Sequence, residues 1–156
     1  MLQEALILFF LLRSAKQYLK KPVIQIKLML MKTDFVEIFQ TIRAALQPYA
    51  TLGFSNRVNS ETVYELWSDK NVVIEGRKRT EVFFASVVIQ KGHVGFYYMP
   101  VYAEPDMKKV FDPKLLKLLK GKSCFHIKKL DEELLSMIES ALAEGYKLYK
   151  EKDWVA

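Results

Sequence analysis

The sequence predicts an α+β domain in which an antiparallel β-sheet with a central hairpin packs against an N-terminal and a C-terminal helix. Three observations predict it. Two apolar runs of strand character, Val82 to Gln90 and His93 to Met99, are separated only by Lys91-Gly92. Phe35, Ile38, Phe39, Ile42, Ala45 and Leu46 recur at three- and four-residue spacing. Leu134, Ile138, Ala141, Leu142, Gly145 and Tyr149 do the same near the C-terminus. A chain of 156 residues is long enough to build one core without a staple.

The first helix is predicted to start at Asp34, whose carboxylate and that of Glu37, three residues on, suit the unpaired amides of a helix start. Pro48 forbids its continuation. Tyr49 to Ser60 mixes Gly53, Asn56 and Asn59 with isolated apolar residues and reads mostly as loop. Thr62 to Ser68 and Asn71 to Glu75 are rich in β-branched and aromatic residues and read as strands, with Asp69-Lys70 able to turn between them. Gly76 to Thr80 reads as a polar, basic connection.

Two registers are open to the central hairpin. A two-residue loop sets Ile89 opposite Val94; a three-residue loop ending in a left-handed Gly92 sets it opposite His93. In both, Val94, Phe96 and Tyr98 share a face opposite Gly95, Tyr97 and Met99. Asp112-Pro113 and Gly121 then frame a short helix with Leu115, Leu116 and Leu119 inward and Lys114, Lys117 and Lys120 outward. Ser123 to Lys128 reads as a strand burying Phe125 and Ile127. Asp131 opens the last helix, with Glu132 and Glu133 against the positive end of its dipole and Leu130 and Leu135 as a staple.

Charge divides the chain. The formal net charge is +6, and residues 1–30 hold Arg13, Lys16, Lys20, Lys21 and Lys27 against Glu4 alone, so 31–156 is nearly balanced. That domain lacks the phosphate footprint of a dedicated nucleic-acid binder. The apolar run Ala5 to Leu12 falls far short of the roughly 20 residues that span a bilayer, and the order of its charges is wrong for a secretory signal. The expectation is a leader over 1–30 that precedes a translation start at Met31, with an amphipathic anchor or an extra helix and strand as alternatives, and a single domain over 31–156. The lone Cys124 cannot close an intramolecular disulfide, which fits a reducing cytoplasm.

Lys91-Gly92-His93-Val94-Gly95-Phe96-Tyr97, then Lys120-Gly121 with Phe125 four residues on, then a long terminal helix, resembles the YdhG-like family of bacterial domains of unknown function. The similarity covers roughly residues 82 to 150. Some members are described as frataxin-like iron chaperones, so the resemblance implies iron delivery as one role and iron as the one metal to consider.

Candidate chemistry is sparse. Cys124 and His126 lie two apart on a predicted strand and project from one face, which permits a cysteine-dependent enzyme or, more plainly, a buried thiol beside an edge histidine. His93 beside the hairpin turn can titrate near neutrality or ligate a metal, or be a half-exposed turn residue. Strand alternation puts most of Phe83, Phe84, Phe96, Tyr97 and Tyr98 in the core, leaving Tyr97 and Tyr102 as ligand contacts. Asp34 with Glu37, Glu104 with Asp106, and Asp131 to Glu133 are the compact acidic groups suited to a hard cation, though capping, the dipole and a turn explain them. Arg77-Lys78-Arg79, Lys108-Lys109 and the Lys114 stripe form either a basic surface or a solvated one. No phosphate-binding glycine loop, zinc-protease pair, Gly-x-Ser-x-Gly or kinase signature occurs. The reading that results is a binding or accessory domain for an unidentified small ligand or protein, with a pocket between sheet and terminal helix; iron chaperoning and Cys124/His126 chemistry are the alternatives.

Overall fold

The computed structural model describes residues 31–156, and the expectation about a leader over 1–30 lies outside the described residues. Helix α1 (Phe35–Leu46) begins where the Glu37 amide donates to the Asp34 carboxylate at 2.9 Å. The reciprocal half of that cap is not made: the Glu37 carboxylate pairs instead with Lys32 at 2.6 Å. Pro48 ends the α-helix and the chain tightens into a 3-10 turn, Gln47–Thr51.

The segment read as loop after it contains a strand, β1 (Ser55–Asn59). Four of its five side chains are polar, Val58 being the exception, because it is the sheet's outer edge, where alternation of apolar residues is not required. Asn56 secures it by donating from its amide to Val58 O and Glu65 O, both at 2.9 Å, across a register shift between Asn56 and Val58. The strand β2 (Val63–Ser68) follows as expected.

The stretch 71–79 departs from the sequence reading. β3 (Val72–Ile74) does not fold back on β2; it pairs with β4 (Arg77–Arg79), the segment read as a connection, in a separate two-stranded ribbon. Where the chain leaves the sheet, Asp69 pairs with Arg57 of β1 and Lys70 with Asp153 beyond the C-terminal helix. The ribbon turns on Glu75-Gly76, both with positive φ (52° and 75°), the geometry of a tight type I′ hairpin.

β5 (Val82–Gln90) and β6 (His93–Tyr98) form the central hairpin with Ile89 opposite Val94, so the two-residue loop holds, and Gly92 carries its positive φ of 88°. A short helix α2 (Pro100–Ala103) and a 3-10 turn at Pro105–Lys109 lead to α3 (Pro113–Leu116). This last helix is shorter than expected. Leu119–Lys120 peel off as β7 to pair with β8 (Cys124–Ile127), and Gly121 (φ 69°) serves their hairpin turn rather than a helix end. The backbone groups along the β8 edge need partners, and that requirement outweighs the propensity of a short lysine-rich helix.

Helix α4 (Glu132–Glu151) is capped by Asp131 at 2.8 Å and buries Leu134, Ile138, Ala141, Leu142, Gly145 and Tyr149, the whole predicted stripe. The six-stranded sheet runs β1-β2-β5-β6-β8-β7 with every neighbouring pair antiparallel. Its inner face (Tyr64, Leu66, Phe84, Val87, Val94, Phe96, Tyr98, Phe125 and Ile127) joins the inward faces of α1 and α4 in one core spanning Lys32 to Ala156. The chain beyond α4 folds back: Trp154 donates its amide to Tyr149 O at 2.8 Å, Asp153 takes the left-handed conformation (φ 57°), and Trp154 and Val155 are buried. Among the described residues no helix is long and apolar enough to cross a membrane.

Candidate functional site

Two regions outside the core carry chemistry. The first is the sheet face turned away from the helices. Register puts Glu65, Ser86, Tyr97, Cys124 and Lys120 in one row across five strands and Val63, Val88, Gly95 and His126 in the next. Four of the five residues singled out in the sequence therefore share this face: His93, Tyr97, Cys124 and His126. They form two pairs. The rings of His93 and His126 stack with centroids 3.7 Å apart and planes 17° apart. Tyr97 lies directly across from Cys124, leans over Gly95, and accepts a hydrogen bond from Gln90 Nε2 at 2.7 Å.

Electrostatics keep these groups quiet. Burial first, then repulsion from His126 and Lys128, holds the His93 imidazole below its usual value, so it is neutral near pH 7. Burial pushes the Cys124 thiol up, against a smaller opposite effect of the Tyr97 hydroxyl. Among the described residues no hydrogen bond joins His126 to Cys124, so the nucleophile-and-base geometry is not assembled. His93 Nε2 is buried without a hydrogen-bond partner among the described residues.

Of the compact acidic groups, every member but Glu132 is engaged, and Glu132 lies in the first turn of α4. Asp34 and Asp131 cap helices. Glu37 pairs with Lys32, Glu104 with Lys152, Asp106 with Lys109 and Glu133 with Lys114. No three His, Cys, Asp or Glu side chains converge among the described residues in a way that suits a metal ion.

The second region is a cavity of about 680 Å³ at the end of the sheet where β2 leaves and β5 enters. It is not the expected pocket between sheet and terminal helix, because core side chains fill that interface. One wall is the cross-strand pair Trp67 and Phe83, rings 5.0 Å apart. Tyr102 of α2 forms another, and the segment after α4 supplies Lys152 and Trp154. The β3–β4 ribbon covers it, presenting Ile74 and Arg79.

Comparison of the chain with protein-family models, with curated proteins and with solved structures returns no match. Geometry alone therefore ranks the two regions, and it favours the cavity. Its size falls in the range of small-molecule sites, roughly 300 to 1,000 Å³, and it sets aromatic walls beside four charged side chains, Glu75, Arg79, Glu81 and Lys152. Of the residues anticipated from sequence only Tyr102 lines it. Trp67 and Trp154 were not anticipated as site residues, Phe83 was assigned to the core, and Arg79 was raised only as part of a basic or solvated surface. The available signal was the run of aromatics that strand alternation turns away from the helices, Trp67 and Phe83 in particular.

Proposed function

We propose that this chain is a small intracellular, cytoplasmic binding domain whose ligand occupies the cavity under the β3–β4 ribbon. One observation carries the reading: four aromatic side chains, Trp67, Phe83, Tyr102 and Trp154, converge on a concave space of about 680 Å³ at the edge of the main core. Closing it around an apolar ligand removes aromatic surface from water at about 25 cal/mol per Å². Kinship with YdhG-like domains belongs to the same proposal and rests on the hairpin and Lys120-Gly121 residues quoted above. Neither alternative, iron delivery or cysteine chemistry, finds a site of its own among the described residues.

Both tryptophans of the chain line the cavity, so intrinsic fluorescence reads its occupancy directly. A small-molecule screen followed by this emission should return compounds that shift it saturably, and Phe83→Ala should weaken them about tenfold or more. Compounds that bind by calorimetry without disturbing either indole would place the ligand elsewhere and end this reading.

A further inference from the structure

We infer, resting on the cavity reading above, that the ligand is a planar aromatic molecule bearing one anionic oxygen group, carboxylate or phosphate, which Arg79 holds. Aromatic walls by themselves suit two opposite classes: flat apolar rings, and cations that sit over π faces. The wall residues decide between them, because three of the four already carry a cation of this chain. Arg57 lies 5.6 Å from the Trp67 ring centroid, Lys152 lies 5.6 Å from that of Trp154, and Lys122 lies 5.2 Å from that of Tyr102. A cationic ligand would compete with these groups and be repelled by them.

Of the four charged residues that line the cavity, Glu81 and Lys152 are committed to other side chains, whereas Arg79 on the ribbon and Glu75 at its turn have no ion pair among the described residues. Glu81 is taken by Arg57 at 2.5 Å, which also holds Asp69, and Lys152 is taken by Glu104 at 3.2 Å. Arg79 has no ion pair among the described residues although it lines the space. Its register partner on the ribbon is Val72, so Glu75, which also lines the cavity, sits at the turn end with its backbone on the order of 10 Å away along the strand, and the anionic group belongs at the Arg79 end. The guanidinium therefore stands at the ribbon's base, beside the aromatic walls, with its donor fork uncommitted. That fork matches a carboxylate or phosphate in two-point contact.

Four probes of one shape test this: naphthalene-2-carboxylate, 2-naphthyl phosphate, 2-naphthylmethanol and 2-naphthylmethylammonium. Binding is followed by calorimetry and by the two indole N–H signals in NMR spectra of the whole chain. At least one anion should bind about tenfold or more tighter than the alcohol, both indole signals should move, and the ammonium should bind more weakly than the alcohol. The better anion identifies whether carboxylate or phosphate is preferred. Arg79→Gln, at an exposed position, should bring that anion to within about twofold of the alcohol and leave the alcohol unchanged. If the alcohol or the ammonium matches the anions, or if the anion's advantage survives in Arg79→Gln, the charge assignment is wrong while the cavity reading stands. If none of the four moves either indole signal, both are overturned.

Discussion

The hydroxyl of Tyr98 occupies the space where a side chain at position 145 would begin. Gly145 lies in the middle of α4, where glycine is normally unfavourable by about 1 kcal/mol relative to alanine. Its bare Cα lets the Tyr98 hydroxyl, buried with its pKa held well above the ordinary value by burial first, reach the helix backbone and donate to Ala141 O. Pro100 closes the same gap, since a Cβ at 145 would lie 2.8 Å from its Cγ. The sheet-to-helix distance is thus set by one missing methyl group.

Gly145→Ala is accordingly expected to destabilise the fold despite alanine's better helix propensity. Overpacking costs about 1 to 3 kcal/mol, of which propensity returns at most about 1. Tyr98→Phe alone loses the hydrogen bond, about 1 kcal/mol. Because both changes act on one contact they should couple: the double variant should be more stable in urea titrations than the sum of the two losses by about 1 kcal/mol. Strict additivity would show that Tyr98 does not set the spacing.

Most of the core was legible in the sequence, because burial imposes a period. The α4 stripe from Leu134 to Tyr149 and the inward set Val94, Phe96 and Tyr98 follow from spacing alone. What escaped lacks that period. β1 is an edge strand held by the Asn56 amide, and β4 is all basic and exposed, so neither alternates. The ribbon turn uses Glu75 in a left-handed conformation usually given to asparagine, aspartate or glycine, which hid the hairpin. The cavity was less legible still, since it joins Trp67, Arg79, Tyr102 and Trp154 from four separate segments, and only tertiary structure brings them together.

His93 should make stability depend on pH near neutrality. Its folded pKa lies below the unfolded value of about 6.5, so the unfolded chain takes up the proton more readily. Stability is therefore full above that value and declines as pH falls toward the folded pKa. The urea midpoint should rise between pH 5 and 7.5, and His93→Gln should flatten the rise. Asp69, whose carboxyl the Ser55 and Arg57 side chains hold below its usual range, acts only at lower pH and does not blur the comparison. An unchanged slope in His93→Gln would show that the stacked ring carries no such penalty.

Cys124 should be a slow nucleophile. Its thiol is pushed up by burial and, among the described residues, no base is hydrogen-bonded to it, so little thiolate exists at pH 7. Alkylation by iodoacetamide should run about tenfold slower than that of a free, exposed cysteine and should accelerate when pH is raised by two units. Rapid labelling at neutral pH would instead revive the enzyme reading centred on Cys124 and His126.

Trp154 links the cavity to the stability of the whole domain. It is 9% exposed and meets the Tyr149 ring edge-on at 5.3 Å and 88°. The Tyr149 hydroxyl in turn donates to Phe83 O, at the strand end that forms the cavity's opposite wall. Removing this indole takes out a buried aromatic and leaves a void, for which losses of about 3 to 5 kcal/mol are usual. Trp154→Ala should lower the thermal midpoint by about 10 °C and abolish ligand-induced changes in Trp67 emission, whereas Trp154→Phe should recover most of the stability. If Trp154→Ala unfolds at the parental temperature, the segment beyond α4 is not packed as described and the cavity loses one of its walls.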